Sequence, residues 1–269
     1  MQKGPHLADG RTAEVFAWGD DRILKLFRPG WDSGAADYEF EVASAVQATG
    51  YPCPQVFERV KVEKRPGILY QRIQGRPLLA DFQKSPWRFP ALARRLARLH
   101  AEMHTRTPEG LPDAHAKLKR RIAGLDGATE EQRIALLARL DSLPRGDRLL
   151  HGDFHLENVY DTPDGPMVLD WVDAACGHPL ADVARSVLLL QYSYVDPATP
   201  GYALIQLVRR LFTRVYLSEY FRHSPHPRAD LRPWFAPVFA ARLREDIAGE
   251  VETLVPFIEH ELAWNAPPG

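Results

Sequence analysis

The chain has 269 residues, 45% of them hydrophobic, with 34 Lys and Arg against 35 Asp and Glu and a formal net charge of -1. That length can bury a sizeable core as one large domain or two small lobes, and the balanced charge gives no ground for nucleic acid or an anionic membrane as the main partner. Two cysteines, Cys53 and Cys176, are too few for a disulfide framework; no run approaches a membrane span, and the opening MQKGPHLADG lacks a signal-peptide core, so the expectation is a soluble cytoplasmic protein.

Residues 10–27 read as a hairpin. Glu14–Trp18 and Arg22–Phe27 flank a Gly19-Asp20-Asp21 turn, and the second strand is apolar on both sides of Lys25. A lysine buried there needs an anion, whereas on an exposed edge it needs none. Residues 35–49 have helical spacing, with Tyr38, Val42, Ala45 and Val46 on one side, and Gly50, Pro52 and Pro54 end the helix. Glu39 and Glu41 lie on it two residues apart, so only one of them can face Lys25. Val56–Val62 and Gly67–Ile73 read as two more strands joined by the turn Glu63-Lys64-Arg65-Pro66.

Beyond Pro77 the pattern is helical. Pro90–His104 places Leu92, Leu96, Leu99 and Met103 on one stripe. His100 and His104 are one turn apart, but His-Ala-Glu-Met-His is not a zinc motif and no third ligand is evident, so packing or capping accounts for them. Residues 105–115 form a loop, and 116–143 hold two helical stretches, the second capped by Thr129. The basic run Lys117–Arg121 reads as a solvated helix face.

Residues 147–172, DRLLHGDFHLENVYDTPDGPMVLDWV, carry the chemistry. A polar cluster runs from His151 to Asn158, a Pro163-Asp164-Gly165 turn follows, and a short apolar run ends on Asp170-Trp171. Metal-assisted phosphoryl transfer needs this inventory: a carboxylate to meet the attacking hydroxyl, and a second carboxylate with a neutral oxygen ligand for Mg²⁺. A rival reading takes His151, Asp153 and His155 as ligands of zinc or iron in a metal-dependent hydrolase, and leaves Asn158 and Asp170 without a role.

Against the protein-kinase pattern H-R-D-x-x-x-x-N, His151, Asp153 and Asn158 fall in register, and Gly152 replaces the Arg. With His155 inside the loop and Asp170-Trp171 after the hairpin, the segment resembles the aminoglycoside phosphotransferase and choline kinase-like family of small-molecule kinases. The resemblance covers nearly the whole chain. It implies an α+β, two-lobed protein-kinase-like fold: residues 1–75 an N-lobe of small antiparallel sheet plus one helix, and 76–269 a larger, mainly helical C-lobe. It also implies an ATP-dependent kinase, GTP being the open alternative, that phosphorylates a hydroxyl of an aminoglycoside-like, amino-alcohol or sugar acceptor. Asp153 would be the catalytic base, Asn158 and Asp170 the Mg²⁺ ligands, and His151 a brace. Lys25, paired with Glu39, would hold the ATP phosphates; Thr12, in the turn Gly10-Arg11-Thr12-Ala13, would help to cradle them; Gln71, Arg72 and Ile73 would be the hinge that meets adenine.

After Asp170, residues 173–186 resemble the family's G-x-P-x-x-D-x-A segment, with Asp182 as a structural acid binding the catalytic loop. Asp173 and His155 are candidates for contact with the acceptor. A protein kinase is disfavoured because Gly177-His178-Pro179 leaves no room for an activation segment; a nucleotide-binding homologue without activity would lack the base, the Asn or the metal acid, and all three are present. Residues 203–222 and 229–263 read as amphipathic helices, Leu204, Leu207, Leu211 and Val215 as a core stripe, and Glu245, Asp246, Glu250, Glu252, Glu259 and Glu261 as acids on a solvated face. Tyr192, Tyr194, Trp234 and Phe235 are core residues or pocket walls. The chain is expected to be a monomer or weak homodimer.

Overall fold

The computed structural model describes residues 3–264. An edge strand, His6–Asp9 (β1), precedes the hairpin of Ala13–Trp18 (β2) and Arg22–Phe27 (β3); Ser33–Ala48 (α1) follows, then Val56–Val62 (β4) and Arg65–Gln71 (β5). These strands form one antiparallel sheet in the order β1-β2-β3-β5-β4. The sequence reading has no β1, because all four of its residues are exposed and it lacks the alternation that marks a half-buried strand. The turn after β4 needs only Glu63 and Lys64, both at positive φ as a two-residue hairpin demands. β5 therefore starts two residues before the expected Gly67 and ends at Gln71.

Alternation along β3 decides what each face of this sheet meets. Leu24 and Leu26 pack with Leu69 on one face, while Phe27 and Ile68 pack under Ala36 and Ala43 of α1 on the other. Lys25 shares the α1 side with Phe27. α1 starts at Asp32, whose side chain accepts from the Ala35 N–H.

The second region comprises Arg76–Pro77 (β6), Leu78–Lys84 (α2), Phe89–Met103 (α3), Ala114–Ala123 (α4) and Glu130–Asp141 (α5). The short strands Arg148–Leu150 (β7), Val159–Thr162 (β8), Gly165–Val168 (β9) and Ala175–Gly177 (β10) come next, then Pro179–Val187 (α6), Tyr202–His223 (α7), Phe235–Arg242 (α8) and Glu250–Ala263 (α9). A wider π-helical turn, Leu188–Tyr192, extends α6, and a 3₁₀ segment, Arg228–Trp234, leads into α8. The capping box at Thr129 is complete, since its side chain accepts from the Gln132 N–H and Gln132 accepts from the Thr129 N–H. β7 pairs with β10, and β6-β8-β9 form a three-stranded sheet, so the catalytic-type loop 151–158 hangs between two small sheets.

The main core runs through α3, α6, α7 and α8 and reaches back to Val42 and Val46 of α1. Tyr51, just after α1, donates to the Leu99 carbonyl at 2.9 Å and packs edge-on against Trp171. With Val42 and Val46 it couples the sheet region to the helices. On α3, the buried Leu92, Leu96, Leu99 and Met103 confirm the expected stripe. On α7 the stripe is different: Leu204 is 64% exposed and Leu207 51%, while Phe212, Tyr216 and Tyr220 are buried. Aliphatic spacing misled there because the largest buried residues are aromatic and burial begins only at Phe212, about two turns beyond Leu204. Among the described residues no helix is long and apolar enough to cross a membrane.

Candidate active site

The loop that follows β7 is built around Asp182, in the first turn of α6. Its carboxylate is wholly buried and accepts from the backbone N–H groups of His151 (2.6 Å) and Gly152 (2.8 Å). Gly152 sits at φ +80°, and a Cβ there would lie 2.7 Å from the Asp173 carbonyl oxygen. Only glycine fits, which explains why this position departs from the Arg of protein kinases. His151, fully buried, donates from Nε2 to the Leu169 carbonyl at 2.9 Å and accepts at Nδ1 from the Asp153 N–H at 3.2 Å. One tautomer satisfies both contacts, so His151 ties the loop to the residue before Asp170.

His100 and His104 reach the other side of Asp182, with Nε2 atoms 3.1 and 3.5 Å from its Oδ2, and their Nδ1 atoms meet the Tyr216 and Tyr220 hydroxyls. The pair thus does have a third potential ligand at hand, one that the sequence hides because it lies on another helix. All five groups already satisfy one another. Burial, aided by repulsion from His104, pushes the His100 imidazole down to about 4, so it is neutral at pH 7. Asp182 stays ionised: hydrogen bonds from both histidines outweigh a burial that on its own would raise it.

Asp153, His155 and Asn158 converge. The Asp153 Oδ2 is 3.3 Å from His155 Nε2, and Asn158 Nδ2 donates to the Asp153 carbonyl at 2.9 Å. Arg185, three residues after Asp182 on α6, donates from Nε to the Gly152 carbonyl and places Nη2 3.4 Å from Asp153 Oδ1. Burial alone would raise the Asp153 carboxyl, but the hydrogen bond and charge of His155, with Arg185 and His151 behind, hold it well below the usual carboxylate range. Asp170 is exposed, lies at φ 63° and accepts no hydrogen bond among the described residues, while the adjacent Leu169 N–H donates to the Asn158 carbonyl at 2.8 Å. Asn158 Oδ1 and the Asp170 carboxylate are therefore hard oxygen donors with nothing else to do, a set that suits Mg²⁺.

In the sheet region Lys25 Nζ lies 2.7 Å from Glu39 Oε1, and the Tyr70 hydroxyl donates to the same oxygen at 3.0 Å. Glu39 is buried and Glu41 is exposed, so the helix offers the lysine only Glu39. Lys25 itself is half-buried. Thr12 stands at the tight β1–β2 turn, its carbonyl accepting from the Arg28 N–H. Of the expected hinge, the Gln71 and Arg72 N–H groups already donate to Gln55 and Asp21 carbonyls, which leaves Ile73 N–H and the carbonyls for a ligand.

Asp173 does not stand free. Arg121 Nη2 donates to its Oδ1 at 3.0 Å, and Lys117 Nζ donates to its carbonyl at 2.8 Å. Two of the five residues 117–121 thus turn inward to the loop, contrary to a wholly solvated face. The acids near the C-terminus are also mostly engaged: Glu250 pairs with Arg242, Glu261 with Arg232, and Glu245 with Arg121, Arg185 and Arg242. The expectation of a solvated acidic face fails for these three because each has an arginine brought in from another element. Tyr192 packs with Phe239 and Phe257, Trp234 stacks on His178, and Tyr194 is exposed.

The model of the phosphotransferase enzyme family (APH) matches residues 5–220. Among solved structures, the fold is shared with a thermostable mutant of aminoglycoside phosphotransferase APH(4)-Ia at TM-score 0.61 and 17% identity, covering 96% of this chain and 92% of that one. A ternary complex of the same enzyme (N203A) with AMP-PNP and hygromycin B matches at TM-score 0.60 and 17% identity over 96% and 90% of the chains. A choline/ethanolamine kinase family protein from Mesorhizobium loti matches at 0.59 and 15% over 97% and 89%. Acyl-CoA dehydrogenase family member 11 of Homo sapiens is 28% identical over 174 residues, 55% of this chain, and the match spans about a fifth (22%) of that protein's length. The two-lobed, protein-kinase-like fold is thereby shared across nearly the whole chain, and the chain belongs to the phosphotransferase enzyme family.

Proposed function

We propose that this phosphotransferase moves the γ-phosphoryl group of ATP to a hydroxyl of a small molecule, with Asp153 at the reacting hydroxyl. The observation that carries the reading is that Asp153 and Asn158 share one braced loop to which Leu169, the neighbour of Asp170, is hydrogen-bonded, with Lys25 and Glu39 paired between β3 and α1. Asp153 is ionised and would accept the hydroxyl proton as the O–P bond forms and the bond to the ADP oxygen breaks. Its depressed carboxyl makes it a weak base, suited to a loose transition state in which orientation counts for more than proton removal. Asn158 and Asp170 would hold Mg²⁺, whose charge offsets that of the phosphates when bound. Lys25 would fix the α and β phosphates, Thr12 cover them, and the stretch from Gln71 to Ile73 meet the adenine. The neighbour solved with AMP-PNP is consistent with such a nucleotide.

The hydrolase reading through His151, Asp153 and His155 is weaker on this geometry, since both ring nitrogens of His151 are already engaged and the ring is fully buried. The test is incubation with Mg²⁺ and γ-labelled ATP beside a panel of hydroxyl compounds. Label is expected on an acceptor. Nucleotide turnover that depends on none of them, or none at all, would contradict the reading.

A further inference from the structure

The acceptor side of Asp153 has an unusual charge balance. Lys117, Arg121, Arg185, Arg209 and Arg242 all line the two cavities that flank the loop. Four of them are matched: Lys117 and Arg121 by Asp173, Arg185 by Glu245 and Asp153, and Arg242 by Glu250 and Glu245. The same pairing engages Asp173, Glu245 and Glu250, and leaves Glu157, on the rim of the Asp153 cavity, as the carboxylate outside it.

Arg209, on α7, is different. Its guanidinium donates to the carbonyls of Leu189 (3.4 Å), Leu190 (2.9 Å) and Ser193 (2.8 Å) and to the Ser193 hydroxyl (2.6 Å), all neutral acceptors, and no carboxylate pairs with it among the described residues. It is half-buried, and burial lowers its pKa, yet a guanidinium stays charged. A partly desolvated cation without a counter-ion is costly, and an anion supplied by a ligand would remove that cost. Arg209 also lines the same open cavity as Asp153 and His155, whose remaining wall includes Leu79, Phe82, Leu190 and Phe212.

We propose that Arg209 selects an anionic phosphate acceptor: a hydroxyl compound with an apolar body and a carboxylate or phosphate group, the hydroxyl at Asp153 and the anion at Arg209. This rests on the phosphotransferase reading of the same site and names the acceptor class within it. The four contacts to carbonyl and hydroxyl oxygens hold the guanidinium in place, as a cation at the end of a helical segment does, and leave one Nη1–H undonated. They leave its charge for the ligand.

The test titrates the full chain, saturated with Mg²⁺ and ADP, with 6-hydroxyhexanoate, 6-hydroxyhexyl phosphate, 1,6-hexanediol and 6-amino-1-hexanol at one ionic strength. An anionic member is expected to bind at least about tenfold more tightly than the amine, and whichever anion is tighter identifies carboxylate or phosphate as the source. Arg209→Gln is expected to remove that advantage, so that the anions bind no more tightly than hexanediol does to the same variant, and Arg209→Lys to restore most of it. Binding of the amine as tight as that of either anion, no binding by either anion, or unchanged discrimination in Arg209→Gln would overturn the proposal. A normal rise in melting temperature with Mg²⁺ and ATP beside any of those results confines the failure to the acceptor class; loss of that rise in the parent chain would remove the reading beneath it.

Discussion

At Asp153, geometry and charge act in different directions. Hydrogen bonding and the cations around it fix the carboxylate as an orienting acceptor, at the expense of basicity. Asp153→Asn keeps the size and the neighbours, so it is expected to lower turnover by about 10² to 10⁴ while nucleotide affinity stays within about twofold. Single-turnover kinetics beside nucleotide titration separates the two, and unimpaired turnover would sink the assignment. His100 gives a second residue-scale prediction. Its folded pKa lies near 4 against 6.5 in the open chain, so between those values the unfolded state binds the proton and the folded state does not. Its stabilising effect is complete above pH 6.5 and is lost as the pH falls toward 4, a cost of about 3 kcal/mol in all. His178, also held near 4 chiefly by burial, adds to the same window. Urea unfolding followed from pH 7 to pH 4 should show this decline, and a stability flat across that range would contradict the buried neutral imidazoles.

Among the elements, α6 does the most, because its first turn supplies the acid that collects the catalytic loop. Asp182→Asn would turn an amide toward two N–H donors and two histidines. The expected cost is on the order of 3 kcal/mol, read as a lower denaturant midpoint, with acceptor turnover falling even where the fold persists. A neutral outcome would mean that the loop holds itself. Thr129→Ala, which breaks the α5 capping box far from the site, should cost about 1 kcal/mol with no change in turnover. The elements also show what a sequence discloses. Thr129, the α3 stripe and the β2–β3 hairpin were legible because each depends on residues within a few positions. The pairing of Arg121 and Arg185 with Glu245, of Arg242 with Glu250 and of Lys117 and Arg121 with Asp173 was not, since each joins different elements and spacing carries no trace of it. Arg185 left a weak signal, one turn after Asp182 on a helix otherwise apolar. β1 and Arg209 left none.

On the scale of the whole molecule, the two lobes meet through Val42 and Val46 of α1 in the main core, through Tyr51 against Leu99 and Trp171, and through the Val168 N–H, which donates to the Pro52 carbonyl at 3.0 Å. The Lys25–Glu39 pair belongs to one region and Asp153, Asn158 and Asp170 to the other, so a metal–nucleotide ligand that touches both should tighten the whole chain. The measurement that tests this account most directly is the melting temperature with Mg²⁺ plus ATP, for the parent chain and for Asp170→Ala. At about a hundred times its dissociation constant a ligand adds about 2.7 kcal/mol, which in a chain of this size raises the midpoint by several degrees. That rise is expected in the parent chain and its loss in Asp170→Ala, whose own midpoint without ligand should fall only slightly, since Asp170 is exposed and unpaired and the cost is that of placing Ala at φ 63°. No rise in the parent, or an equal rise in both, would contradict it.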